Sequence, residues 1–238
     1  MFTDLTAVRA LHSHRAMRLI RICMLSVFLG TLLASQTTGP VNAGACDNQA
    51  VTMSERHQQL SAAVLINETP TNPYGERYAG SVCWSLEWIK AAGRPDKVVI
   101  HAEVDIPDRA MKIALEFSQN AERPAAASHF VTMTFEQTPD VGDGEVDSVP
   151  GMMLKSSERA RGTPFEALTT KTGKGSFLIG LSNKETDRAL NLQLLKDRSW
   201  FDIPLIYVSK RRAILAVEKG YRGEQVFREA MAHWERSQ

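Results

Sequence analysis

Apolar and polar residues alternate with a period of two through the middle of the chain. The alternation covers residues 82–88, 98–106, 111–117 and 129–135, and turn-forming residues lie between these stretches. Successive side chains of a β-strand point to opposite faces of a sheet, so each stretch is predicted to be a strand with one buried face. The pattern predicts an antiparallel sheet that is packed on one side.

Shorter segments extend the predicted sheet. Residues 62–66 form an apolar run that is followed by turn-forming residues, which indicates a strand and then a loop. The apolar runs 149–154 and 177–181 are predicted to be buried strands. Residues 200–208 and 213–217 are predicted to form a hairpin.

Two helices are predicted among these strands. The first spans about 183–197 and is preceded by Ser182, which with Glu185 matches a capping box. The second spans about 223–235 and carries an apolar stripe. The sequence therefore predicts a mainly β (β-rich α+β) domain. It is an antiparallel β-sandwich or a curved sheet, with one inserted helix and one C-terminal helix.

The N-terminal part has the pattern of an export signal. Arg18 and Arg21 precede an apolar run, 22–34, and small residues near Ala43 suit cleavage by a signal peptidase. Met17 is a possible true start of the chain. The predicted organisation is an N-terminal extension and signal, 1–43, a polar leader, 44–60, and a single β-rich domain, 61–238. The predicted location is periplasmic or secreted.

Two alternatives to cleavage remain open. Residues 19–35 can be retained as a helix that anchors the protein in the inner membrane, although Arg21 interrupts the apolar run at its start. Lipidation of Cys46 is the other alternative, but a long polar spacer separates that cysteine from the apolar run. Contact with a membrane is expected only through an uncleaved N-terminal segment.

The net charge and the cysteine content bear on two questions: whether nucleic acid is a partner, and whether a disulfide can form. Removal of residues 1–43 leaves 24 basic and 26 acidic residues, so the net charge is near −2. That balance argues against nucleic acid as a partner. Cys46 and Cys83 remain in the mature chain, and in an oxidising compartment they can form a disulfide or stay as thiols.

Six segments resemble an uncharacterised alphaproteobacterial family of secreted or membrane-anchored proteins, over roughly residues 63–234. The resemblance implies an envelope location and a single domain, and it implies no activity and no cofactor. Cys83 departs from the aliphatic residue expected there, and acidic residues around Asp143 replace a glycine-rich stretch. The segments are Val104–Arg109, Val149–Lys155, Arg161–Pro164, Phe177–Ser182, Leu194–Pro204 and Arg212–Gly220.

Candidate metal ligands occur on one strand and in one loop. His101, Glu103 and Asp105 project from the same strand face, and imidazole and carboxylates at this spacing can bind a divalent metal or act as acid–base groups. The alternative is an ordinary solvated face of a half-buried strand. An acidic loop offers oxygen ligands for calcium, or is simply solvated. Its acidic residues are Asp140, Asp143, Glu145 and Asp147.

A basic segment and the tryptophans are candidates for binding. Lys155, Arg159 and Arg161 are predicted to form a basic loop that can dock an anionic group or an acidic partner surface. Trp200, with Trp84 and Trp88, can line a ligand groove or belong to the core. His129 lies on an apolar face and is predicted to be a core or interface histidine with its hydrogen bonds satisfied.

None of the familiar linear motifs for nucleophilic, phosphate-binding or zinc chemistry occurs in the sequence. The leading hypothesis is a non-enzymatic periplasmic binding, adaptor or accessory domain whose partner is an envelope protein or a small ligand. No cofactor is expected. One alternative is an envelope hydrolase or metal-dependent enzyme that uses His101, Glu103 and Asp105. Another is a membrane-tethered structural domain.

Overall fold

The computed structural model describes residues 60–72, 74–90, 96–122, 125–137 and 144–236. All of them belong to one compact unit, Asn42–Gln238. The predicted signal, its cleavage site at Ala43 and the leader cysteine Cys46 lie outside the described residues. Within those five stretches, no helix has both the length and the apolar character that a membrane span requires.

Twelve strands and two α-helices make up the described part of the chain, and a 3₁₀ turn at Pro107–Arg109 joins two of the strands. The helices are α1 (Glu185–Asp197) and α2 (Gly220–Arg236). The strands are β1 (Leu60–Asn67), β2 (Glu76–Ile89), β3 (Lys97–Ile106), β4 (Met111–Gln119), β5 (Ala127–Gln137), β6 (Val146–Ser148), β7 (Met153–Lys155), β8 (Thr163–Pro164), β9 (Ala167–Gly173), β10 (Ser176–Ser182), β11 (Trp200–Tyr207) and β12 (Arg212–Glu218).

All twelve strands belong to one curled antiparallel sheet. Its order is β8-β7-β11-β12-β1-β2-β3-β4-β5-β10-β9, and β6 pairs with β11 beside β7. The two strands at the ends of this order, β8 and β9, follow each other in the chain with only Phe165 and Glu166 between them. The predicted mainly β fold with an internal and a C-terminal helix is confirmed, and the curved sheet rather than the sandwich is the form that it takes.

One face of the sheet holds the core. Val82, Val104, Ile113 and Phe135 are cross-strand partners in one row over four strands, and all four are buried. The neighbouring row of Ser81, Asp105, Lys112 and Glu136 faces the opposite way and is polar. The apolar residues of the period-two pattern are thus the ones that share the buried face of the sheet.

Helix α2 packs against β1, β2 and β3 on the side that holds the core. Phe227 of this helix joins a cluster with Trp84, Phe117 and Phe201, in which the ring centroids lie 5.2–6.1 Å apart. Such tilted and edge-to-face ring contacts stabilise a core beyond simple burial. The indole Nε1 of Trp234 donates a hydrogen bond to Val98 O (3.2 Å), which fixes the far end of the helix.

A buried lysine links the two helices. Lys219 directly precedes α2, is fully buried, and donates from Nζ to Leu195 O near the end of α1 (2.5 Å). Its ammonium group also lies 4.5 Å from the ring centroid of Phe227. Burial lowers the pKa of Lys219 to about 8, against the opposing influence of Glu224 and Asp197.

Two predictions about local structure are wrong. Helix α1 begins at Glu185, and no side chain caps it, because Ser182 is the last residue of β10 and its Oγ donates to Asp187 Oδ2 (2.7 Å). The capping box therefore does not form. The apolar run 149–154 is not one strand, since only Met153–Lys155 pairs with β11. Val149 and Met152 are buried without joining the sheet.

Candidate ligand-binding groove

An apolar groove crosses the outer face of the sheet over β1, β12 and β11. Its floor is a row of cross-strand partners, in which Ile66 pairs with Ile214 and Ile214 pairs with Pro204. The groove has a volume of about 620 Å³ and is open to solvent along one side. The remaining lining residues come from the β1–β2 loop, from Pro150 and from the adjoining ends of β11 and β12.

The floor is apolar partly because of Pro204. A proline lacks the N–H that a strand needs for its ladder and is normally excluded from central strands. Here β11 changes neighbours at this point, because Trp200–Asp202 pair with β7 and Ile206–Tyr207 pair with β6. Pro204 lies between the two pairings, where β11 has no strand partner on that side among the described residues. The proline is therefore tolerated and adds an apolar surface to the groove.

One wall of the groove is the loop between β1 and β2, which is held by its own hydrogen bonds. Asn72 donates from Nδ2 to Gly75 O (2.7 Å) and accepts at Oδ1 from the backbone N–H of Tyr74 (3.0 Å). The backbone N–H of Gly75 returns to Asn72 O (3.0 Å). Gly75 has a φ of +72°, and a Cβ there would lie 2.6 Å from Asn67 O, so the turn requires glycine.

The described part of this loop displays one aromatic side chain. Tyr74 lines the groove and is 87% exposed, the highest exposure among the large apolar residues of the described chain. A loop whose polar groups bond to one another has little conformational freedom to lose when a ligand binds. Tyr74 is thus a preordered aromatic surface beside an apolar floor.

Two charged residues line the same groove. Glu68 and Arg212 face each other where β1 ends and β12 begins: the N–H of Glu68 donates to Arg212 O (2.9 Å), and the N–H of Arg212 donates to Glu68 Oε2 (3.3 Å). Within the described part of the chain the guanidinium of Arg212 forms no ion pair. The groove therefore combines an apolar floor, an exposed aromatic ring and an available cation.

The predicted metal site is arranged differently. His101 lies between two glutamates of neighbouring strands, with Nε2 2.8 Å from Glu87 Oε2 and Nδ1 3.6 Å from Glu116 Oε1. Glu103 and Asp105 follow on the same outer face. In the stretches that the structure describes, no group of three or more histidine, cysteine, aspartate or glutamate side chains has the geometry to hold a metal ion.

The acidic loop falls partly outside the described residues, which include neither Asp140 nor Asp143. The carboxylates of Glu145 and Asp147 are described, and each lies 2.8 Å from a lysine ammonium, that of Lys174 and that of Lys210 respectively. The Lys210 ammonium lowers the pKa of the Asp147 carboxyl. These two carboxylates make ion pairs that join the segment to the β9–β10 and β11–β12 turns.

The predicted basic loop is divided by the structure. Lys155 lies in β7 rather than in a loop, is buried, and its cross-strand partner is Trp200. Its Nζ makes an ion pair with Asp202 and donates to Glu158 O (2.5 Å), so Lys155 is not available to dock an anion. Arg159 and Arg161 are exposed in the loop that follows. Lys155 is buried rather than solvated because it pairs with the buried carboxylate of Asp202, which lies far from it in the sequence.

The aromatic candidates are mainly core residues. Trp84 is fully buried and Trp200 nearly so, whereas Trp88 is partly exposed and its ring centroid lies 5.1 Å from that of His233. His129 is in the core as predicted, with its ring 4.9 Å from that of Trp234. The prediction that its hydrogen bonds are satisfied is wrong, since neither ring nitrogen has a hydrogen-bond partner among the described residues.

Cys83 lies on the outer face of β2, with Leu60 and Glu103 as its cross-strand partners. It is 8% exposed and borders a second, more polar depression of about 430 Å³. Because Cys46 lies outside the described residues, the disulfide stays a prediction.

No sequence motif marks the groove residues as a site. Tyr74 belongs to a segment in which the sequence indicates a turn, and an aromatic residue at a turn is a usable signal. Pro204 in a predicted strand was a second signal. Arg212 gave none, because nothing local shows that it lies beside a loop some 140 positions earlier. No family model, curated protein or solved structure matches this chain.

Proposed function

We propose that this chain is a non-enzymatic binding domain of the bacterial cell envelope and that its ligand lies in the groove over β1, β12 and β11. The export signal predicted at residues 17–43 supports the envelope location. The groove supports the binding role, and its floor of Ile66, Ile214 and Pro204 is the observation that carries the proposal.

The dimensions and surface of the groove suit a small ligand. Ligand sites usually have volumes of about 300–1,000 Å³ and are mainly apolar with a few polar groups. The groove, at about 620 Å³, lies within that range. Ile214 is 38% exposed at its floor, in the middle of a strand, where a side chain of this kind is normally covered. A ligand that covers this floor would remove apolar surface from water.

The binding role is tested by fluorescence titration of the full chain with N-phenyl-1-naphthylamine, an apolar probe whose emission rises on leaving water. We expect saturable binding, and Ile214→Ser should weaken it about tenfold because the floor loses apolar contact area. Tyr74→Ala should weaken it as well. The matched control is Leu168→Ser, which removes an 82% exposed leucine on β9, away from the groove.

The proposal is wrong if the native chain shows no saturable binding, or if Ile214→Ser and Leu168→Ser bind the probe equally well. Circular dichroism of each variant shows whether the sheet is intact. Both substituted side chains are partly or largely exposed, so neither change should unfold the domain.

A further inference from the structure

We propose that the ligand of this groove is an alkyl chain with a single carboxylate headgroup, and that the headgroup binds at Arg212. The inference rests on the proposed function and specifies the ligand class. It follows from three properties of the described groove residues: the paired backbones of β1 and β12 under the floor, the position of the available cation, and the acidic side chain beside that cation.

The groove suits an alkyl chain better than a peptide. Strands β1 and β12 each pair on both sides, so their backbone groups are already used in the sheet. Pro150 and Pro204 have no N–H to donate. A peptide placed on this floor would leave its own N–H and C=O groups without partners, at a cost of roughly 1–3 kcal/mol for each buried group. An alkyl chain has no such groups.

The polar side chains of the loop wall do not replace those missing partners. Asn72 bonds to Gly75 and Tyr74, and Thr69 Oγ1 lies 3.2 Å from the backbone nitrogen of Asn72, whose N–H donates to it. These polar groups of the loop therefore bond to one another rather than to a ligand. What it adds to the groove is mainly the exposed ring of Tyr74, which can cover an apolar chain lying on the floor.

The headgroup is assigned to Arg212 because its guanidinium is the available cation among the described residues that line the groove. A guanidinium presents paired N–H donors that match the two oxygens of a carboxylate. Arg212 lies at the start of β12, directly beside Ile214 on the same outer face, so a headgroup there leaves the alkyl chain on the floor.

Glu68 favours a headgroup with one negative charge. Its carboxylate lies within hydrogen-bonding distance of the Arg212 backbone, so any anion at Arg212 also lies near this acid. A phosphate monoester carries nearly two charges at neutral pH and is repelled more strongly than a carboxylate. The groove is thus suited to a monoanionic amphiphile.

Isothermal titration of the full chain with dodecanoate, dodecanol and dodecyl phosphate tests this ligand class, with the two anions kept below their micelle concentrations and dodecanol below its solubility limit. Dodecanoate should bind about tenfold more tightly than dodecanol, because it adds a charge-assisted hydrogen bond. Arg212→Gln should reduce the affinity for dodecanoate to that for dodecanol and leave dodecanol unchanged. The matched control is Arg222→Gln, which removes an exposed arginine of α2 outside the groove.

A second variant tests the role of the acid. Glu68→Gln keeps an oxygen that can accept from the Arg212 backbone but removes the negative charge. It should raise the affinity for dodecyl phosphate by a larger factor than the affinity for dodecanoate.

The outcomes separate the two proposals. If no amphiphile binds and Ile214→Ser has no effect on the fluorescent probe, the groove is not a binding site and the proposed function fails. If dodecanoate and dodecanol bind equally and Arg212→Gln changes neither affinity, the headgroup assignment is overturned, but the groove is still a binding site. Tighter binding of dodecyl phosphate than of dodecanoate, or binding of an extended apolar peptide in place of all three, also overturns it.

Discussion

The ammonium group of Lys155 lies 2.6 Å from Asp202 Oδ1, in an ion pair buried between β7 and β11. The side chains of both residues are almost fully covered. Burial raises the pKa of the Asp202 carboxyl, and the neighbouring lysine opposes that rise. Lys155 also donates to Glu158 O (2.5 Å). One ammonium group therefore binds both β11 and the loop that follows β7.

Removal of one partner of this pair should be costly. Lys155→Met leaves the Asp202 carboxylate buried without its cation, and we expect a loss of about 3 kcal/mol in the free energy of unfolding. The double variant Lys155→Met/Asp202→Leu should recover most of that loss, since no charge is then buried. Urea unfolding of both variants measures the difference. A double variant that is less stable than the single one would contradict this account.

His129 should make the stability of the domain dependent on pH. Burial, assisted by Arg188, lowers its pKa to about 4 from an ordinary value near 6.5. Between these values the unfolded chain binds a proton that the folded chain does not, so stability falls as the pH drops from 6.5 to 4, by roughly 3 kcal/mol at most. Unfolding by urea at a series of pH values should show this slope, and His129→Phe should reduce it.

A direct measurement is also possible for this histidine. The NMR titration of its ring protons should give a pKa near 4, and a value near 6.5 would contradict the structural explanation. At neutral pH His129→Phe should cost little stability, because the ring keeps its contact with Trp234 and two buried nitrogens without partners are removed.

Lys219 should make stability depend on pH in the alkaline range. Its pKa in the folded state is about 8. In the unfolded chain it returns to about 10.4. Between the two values the unfolded chain binds the additional proton, so stability should rise as the pH increases from 8 to about 10.4. Lys219→Met should abolish this rise while keeping a side chain of similar shape against Phe227. An unchanged pH profile in this variant would show that the lysine is not desolvated.

The bond predicted between Cys46 and Cys83 is tested on protein purified from the envelope fraction. Peptide mass spectrometry without reduction should find the two cysteines in one cross-linked pair. Cys83→Ser should then lower stability by about 3 kcal/mol through the loss of a constraint on the unfolded chain. The same change should have no such effect in protein reduced beforehand. Two unmodified thiols in the native mature protein would refute the bond.

Local sequence features predicted the strands and helices well, because each depends on neighbours in the chain. The alternation through β3, β4 and β5 marks a sheet with one buried face, and the residues around Lys210 mark a hairpin. The stripe from Val226 to Trp234 marks the face of α2 that meets the sheet. These signals are strong because burial acts on residues at fixed spacings.

The groove and the buried ion pair could not be predicted in the same way. Ile66, Ile214 and Pro204 form one row only because β12 inserts between β1 and β11, and no local pattern encodes that order. The sequence around Lys155 is that of a solvated basic loop, and only the pairing of β7 with β11 brings this lysine to Asp202. The capping box before α1 does not form because Ser182 is instead the last residue of β10. Long-range pairing decided each of these outcomes.

The pairing of Ala63 with Val217 also governs how the domain must fold. One border of β1 is completed by a strand that lies more than 140 residues further along the chain, so a long loop has to close before the sheet is continuous. Such non-local pairing slows folding. A polypeptide whose synthesis or transport stops before Arg212 therefore leaves β1 with a bare edge, which other chains can pair with and aggregate.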